Sequence, residues 1–236
     1  GMMVFPHGMH IDKEGNVWVT DADGKDGKGH QVIKFAPDGK VLLALGKAGV
    51  AGNATDLFNR PSAVTTGPNG EIYVADGHGG ESNARIVKFS KDGKFIKAWG
   101  KKGAAPSEFE TLHAIAADSK GRVFVGDRGN NRVQVFDSEG NFIEEWKQFG
   151  RPSGMFIDRN DTLYVTDNQS DPKTNPGGKR GIRIGSVSDG QVKLSIPALG
   201  GNPASPSSGE AVAADATGNV YWAETNGMLI RKFFKK

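Results

Sequence analysis

A sixteen-residue unit that recurs five times without internal gaps constrains the fold of this chain more than any other feature. PHGMHIDKEGNVWVTD (6–21) aligns with PSAVTTGPNGEIYVAD (61–76), LHAIAADSKGRVFVGD (112–127), PSGMFIDRNDTLYVTD (152–167) and GEAVAADATGNVYWAE (209–224). Its columns have physical meanings. A turn acid stands at Asp12, Asp118, Asp158 and Asp215, with Gly67 in the second copy. Three residues on come Gly15, Gly70, Gly121 and Gly218, with Asp161 in the fourth. A side-chain acceptor followed by a residue that tolerates positive φ predicts a tight turn. The run after the turn centres on an aromatic in every copy (Trp18, Tyr73, Phe124, Tyr164, Tyr221) flanked mostly by β-branched residues, which predicts a strand buried on both faces. A third strand follows (QVIKF, RIVKF, RVQVF, GIRIGSV, MLIRKFF), and a fourth in four copies (VLLALG, FIKAWG, FIEEWK, VKLSI).

Four short strands per unit of roughly 45 residues predict an all-β fold, a β-propeller. The whole chain, 1–236, reads as one domain with repeats at roughly 5–47, 60–103, 111–150, 151–200 and 207–236. No segment sustains helical apolar spacing. Composition agrees: 36% hydrophobic residues and 34 glycines suit many strands joined by turns. A net charge of +3, spread through turns, predicts no nucleic-acid partner. The absence of cysteine rules out disulfides and thiolate metal sites. The longest apolar run, VLLAL (41–45), is too short to span a membrane, and GMMVFPHG lacks the pattern of a signal peptide, so a soluble chain is expected, secreted or periplasmic where a leader has been removed.

One column carries chemistry. At the start of each innermost strand, near the axis of a propeller, it reads His7, Ser62, His113, Ser153, Glu210. Alternate copies hold metal-ligand residues, and in a six-sector ring alternate blades stand about 120° apart, so the three side chains could converge on one ion. Two imidazoles and a carboxylate suit zinc with a position left for water, and also iron, manganese or calcium. The neighbouring column, His10, Thr65, Ala116, Phe156 and Ala213, has no ligand pattern, so His10 reads as structural. Fourteen residues past the first column every copy has an acid: Asp21, Asp76, Asp127, Asp167, Glu224. Acids at strand ends are expected to accept backbone and Arg hydrogen bonds, with Arg85 and Arg132 as partners. DADGKDGK (21–28) lacks the spaced acids of a calcium loop and reads as a flexible insertion, and NQSDPKTNPGGKRG (168–181) as a polar rim loop without legible chemistry.

The repeats resemble NHL-type propeller blades. The ordered set PHGMHIDKEGNVWVTD, RPSAVTTGPNGEIYVADG and LHAIAADSKGRVFVGDRGNNRVQVF is similar to successive blades of peptidyl-α-hydroxyglycine α-amidating lyase and its bacterial relatives, closely over 5–150 and more loosely over 151–236. The resemblance implies zinc bound by three histidines at the first column. His7 and His113 match, and Glu210 stands where the third histidine would be. DGHGG (76–80) matches the segment that carries the family's catalytic tyrosine and puts His78 in that place, and DRGNNR (127–132) carries over Arg128 as a catalytic arginine. The family is six-bladed, so a first blade is expected to be lacking here, together with a second arginine. The expected function is a metal-dependent hydrolase or lyase acting on a small polar substrate, with His7, His113 and Glu210 as ligands and His78 and Arg128 as catalytic groups. A non-catalytic interaction propeller is the alternative, and a gluconolactonase-like calcium propeller is disfavoured by the histidines. An unclosed blade edge would favour a homo-oligomer.

Overall fold

Each repeat folds as an antiparallel sheet in chain order, because the turn chemistry of the repeat forces consecutive strands to pair. The computed structural model describes residues 1–199, 209–225 and 227–235. The first sheet holds β1 (Pro6–Ile11), β2 (Val17–Lys25), β3 (Lys28–Phe35) and β4 (Val41–Leu45). The second holds β5 (Pro61–Thr66), β6 (Ile72–Asp76), β7 (Arg85–Phe89) and β8 (Phe95–Trp99). A short parallel pair, β9 (Lys101–Lys102) and β10 (Glu108–Phe109), leads to β11 (Leu112–Ala117), β12 (Val123–Asp127), β13 (Arg132–Phe136) and β14 (Phe142–Trp146). The fourth sheet is β15 (Pro152–Ile157), β16 (Thr162–Asp167), β17 (Gly181–Ser186) and β18 (Val192–Pro197), and the fifth is β19 (Gly209–Ala214), β20 (Val220–Glu224) and β21 (Leu229–Phe233). This is an all-β propeller of five blades.

The turn acids do what their spacing predicts. One oxygen of Asp12 accepts the amides of Glu14 and Asn16, and Asp118, Asp158 and Asp215 repeat that pair of bonds. Their other oxygen reaches the strand aromatic in three blades, from Trp18 Nε1 (3.0 Å), Tyr164 Oη (3.3 Å) and Tyr221 Oη (3.0 Å). DADGKDGK is not an insertion but the tip of the β2–β3 hairpin, turning at Asp26 (φ 53°) and Gly27 (φ 71°).

Blades pack in series. β1 and β2 lie on β5, β5 and β6 on β11, β11 and β12 on β15, and β15 and β16 on β19. Three junctions take an aromatic from the segment ahead of the following blade, and Phe58, Phe109 and Phe149 are all fully buried. In the fifth blade Trp222, at the β20 position that is valine elsewhere, is fully buried instead. The Cβ of any residue larger than glycine at 209 would overlap its indole. Among the described residues no comparable packing joins the fifth sheet to the first, which leaves a seam. No helix among the described residues is long and apolar enough to cross a membrane.

Candidate functional site

The innermost strands bring the first column to the axis. Gly8 and Gly154, next to His7 and Ser153, allow this: a Cβ on Gly8 would come within 2.5 Å of the Ser62 carbonyl oxygen, and one on Gly154 within 2.5 Å of the Glu210 carbonyl oxygen. With the strands this close, His7 Nδ1 donates to the Ser62 carbonyl at 2.7 Å, and His113 Nδ1 donates to the Ser153 carbonyl at 2.7 Å. Each histidine is thus oriented by the main-chain carbonyl at the same column position of the following blade, a contact that any residue there would supply. A carbonyl can only accept, which puts a proton on Nδ1 of both rings and leaves Nε2 of the neutral His7 ring as its lone-pair nitrogen.

His78 joins them from the loop after β6. Its amide donates to Ser82 Oγ at 2.9 Å, and the preceding Gly77 has φ 143° with no room for a side chain beside the Asn83 carbonyl. The ring centroids of His7, His78 and His113 are 4.5, 4.7 and 5.0 Å apart in pairs, and one nitrogen from each lies within 4.8 Å of the others. The His78 Nε2 is buried without a hydrogen-bond partner. Burial, then the nearby His113, lowers His7 to about 4, and burial with His113, His7 and Arg128 lowers His78 to about 3. Both rings are therefore neutral near pH 7. Three clustered imidazoles, two of them tautomer-fixed through Nδ1, form a donor set that fits a divalent ion.

Glu210 lies against one side of this cluster. Its Oε1 is 3.0 Å from His113 Nε2 and 3.7 Å from an Arg128 guanidinium nitrogen, and its Oε2 accepts from Asn168 Nδ2. Burial alone would raise its carboxyl, but His113, Arg128 and His7 outweigh burial and hold it at about 2. Arg128 itself is buried, with its Nε unpartnered, and burial lowers it to about 10. Phe5 closes another side, its ring centroid 5.7 Å from His7 and 6.4 Å from His78.

All five residues singled out from sequence therefore share one site, and His78 stands among the imidazoles while Glu210 flanks them. Two contributors were missed. Asn168 was assigned to a loop without chemistry, although it follows the strand-end acid Asp167 as Arg128 follows Asp127, and that shared place was the available signal. Phe5 lies just ahead of the sixteen-residue unit. His10 is half-buried away from the cluster and meets Thr66 Oγ1 at 2.8 Å. The strand-end acids bond within their own blades: Asp76 takes Arg85 Nε at 2.8 Å, Asp127 takes Arg132 Nε at 2.9 Å, and Asp21 takes the Val4 and Phe5 amides just ahead of its blade.

Comparison with known proteins places these observations. The NHL repeat family matches residues 58–89 and 109–136. The chain is 37% identical over 179 residues to NHL repeat-containing protein 3 of Homo sapiens, covering 74% of this chain and 47% of that protein. It is 37% identical over 139 residues to peptidyl-alpha-hydroxyglycine alpha-amidating lyase 1 of Drosophila melanogaster, covering 54% of this chain and 24% of that one. It thus spans about half the length, or less, of these curated relatives. Among solved structures, virginiamycin B lyase from Staphylococcus aureus superposes with a TM-score of 0.60 at 16% identity, over 97% of this chain and 69% of that one, a likeness of fold.

Proposed function

From a chain that carries NHL repeats and is homologous to amidating-lyase domains, we infer a metal-dependent lyase acting on a small polar substrate of the α-hydroxyglycine amide type. The observation that carries this reading is the convergence of His7, His78 and His113, with nitrogens within 4.8 Å of one another. These three would hold a divalent ion, zinc before iron, manganese or calcium, because three imidazoles suit zinc best. When bound, such an ion supplies Lewis-acid polarisation of an oxygen.

The residues around it supply the rest. Arg128, buried with its Nε unpartnered and a terminal guanidinium nitrogen 3.7 Å from Glu210, binds the substrate carboxylate. Glu210, held ionised, accepts a hydrogen bond from the substrate hydroxyl and orients it. Phe5 gives the group on the far side of the amide an apolar wall. In the net reaction the hydroxyl loses its proton, the carbon–nitrogen bond breaks, and the nitrogen takes up a proton, giving an amide and an α-oxo acid. The test is release of glyoxylate from an N-acyl α-hydroxyglycine, with and without a chelator. Chelator-sensitive release supports the lyase; no release from metal-replete protein overturns it and favours a non-catalytic propeller.

The partner we propose besides the substrate is a second copy of this chain. The outward face of the fifth blade carries the columns that pack on a following blade at every interior junction, and the first blade carries the complementary columns. Self-association through the seam continues an interface the fold already builds between its blades.

A further inference from the structure

The donors around Glu210 form a closed circuit that nothing in the repeat pattern announces. Ser153 accepts His113 Nδ1 on its carbonyl at 2.7 Å. His113 Nε2 faces Glu210 Oε1 at 3.0 Å. Glu210 Oε2 accepts from Asn168 Nδ2, and Asn168 Oδ1 accepts from Ser153 Oγ. Ser153, His113 and Asn168 are all buried. The equivalent places one junction earlier are Ser62, Gly77 and His113. There the serine carbonyl holds His7 in the same way, but glycine offers no side chain, and Ser62 Oγ turns to the Ala75 carbonyl at 3.3 Å. Asn168 is the residue that makes the difference.

We propose that Asn168 is a positioning residue that holds Glu210 beside the three-histidine cluster and so keeps one coordination position open. The inference rests on the metal reading above. A carboxylate 3.0 Å from one of the three ligand rings is drawn toward any cation bound there. Asn168 Nδ2 is the donor that the structure gives Oε2, and Arg128 is 3.7 Å from Oε1. With the amide donor gone, Oε2 is left unsatisfied in a partly buried pocket, and the side chain satisfies it by turning onto the ion. Three protein ligands with an open position is a reactive arrangement, whereas a fourth ligand closes it. Glycine at the equivalent place in the second blade has no such task, because the next blade there supplies His113, a member of the cluster.

The experiment uses the tag-free full chain loaded with Co²⁺, read by visible absorption and by titration with azide, with circular dichroism to verify folding. The expected result is that wild type binds azide and its cobalt spectrum responds. Asn168→Asp keeps an acceptor for Ser153 but cannot donate to a carboxylate, so its cobalt spectrum differs at rest and azide affinity falls by about tenfold or more. Exchanging donor and acceptor in Asn168→Asp with Glu210→Gln restores the azide response. Asn168→Ser serves as the milder variant where the aspartate does not fold. A folded Asn168→Asp with the wild-type spectrum and azide response overturns the positioning role while leaving the metal reading intact. Failure of the folded double variant to recover also overturns it, since the effect would not run through Glu210. A wild-type chain that takes up no Co²⁺ overturns both readings.

Discussion

The interior junctions and the seam are built from the same columns of the repeat, yet they differ completely in burial. Val32, Ile86, Val133 and Ile182, at one position of the third strands, are each 0% exposed, whereas Ile230 at that position in the fifth blade is 73% exposed. On the other side of the seam Met9 is 70% exposed, while Val64 and Ile115, its equivalents, are 3% and 5% exposed. An apolar side chain in a blade is thus buried by the neighbouring blade and not by its own sheet, as expected for repeats whose stability is a sum of nearest-neighbour interfaces. The same position should therefore carry very different weights in different blades.

Charged partners should show the largest contrast. Arg132 is fully enclosed around Asp127 and also meets Glu145 at 2.7 Å, so Arg132→Ala should cost about 3–5 kcal/mol in urea unfolding. Arg231, bonded to the buried Glu224 of the fifth blade, is a third exposed, and Arg231→Ala should cost less than Arg132→Ala. Next come the apolar residues. Ile86→Ala should lose about 2–5 kcal/mol, and Ile230→Ala should stay within about 0.5 kcal/mol. Equal losses at the two isoleucines in protein diluted to the monomer would show that the seam is closed within a single chain.

A pH effect follows from the first junction. His10 bridges β1 to Thr66 of the second blade, and burial lowers it to about 4. The unfolded chain binds this proton at about 6.5, so the folded state resists protonation, and stability falls as pH drops from about 6.5 to 4. His10→Gln should flatten that part of the stability curve in thermal melts; an unchanged slope would show that His10 is not held neutral. The smallest effect on stability comes with a change of size: Ile230→Lys should leave the melting temperature nearly unaltered but reduce self-association in sedimentation velocity. A wild-type chain that is monomeric at high concentration contradicts the proposed partner.

Much of this was legible in the repeat. The turn acids, the strand aromatics and the strand-end acids announced the sheets, since each column is a local requirement met again in every blade. The axial placement of His7, His113 and Glu210 followed from one column. What was not legible came from residues outside that regularity. His78 was legible as a site residue only through the family segment and not through the repeat: it lies in a loop whose length differs between blades, and the fold shows it standing with two rings supplied by other blades. Asn168 acts through a circuit of three other side chains on three strands, which no single column contains. The seam was foreseen only as an edge, because exposure depends on which blade is beside a residue and a repeat pattern is blind to that.

The central claim is that His7, His78 and His113 hold a metal ion, and elemental analysis of tag-free protein tests it most directly. The account predicts about one divalent ion per chain in the wild type and a nearly empty site in His113→Ala and His78→Ala, each verified as folded. Equal metal loads in the wild type and both variants, or no metal in any of them after exposure to zinc, would contradict it.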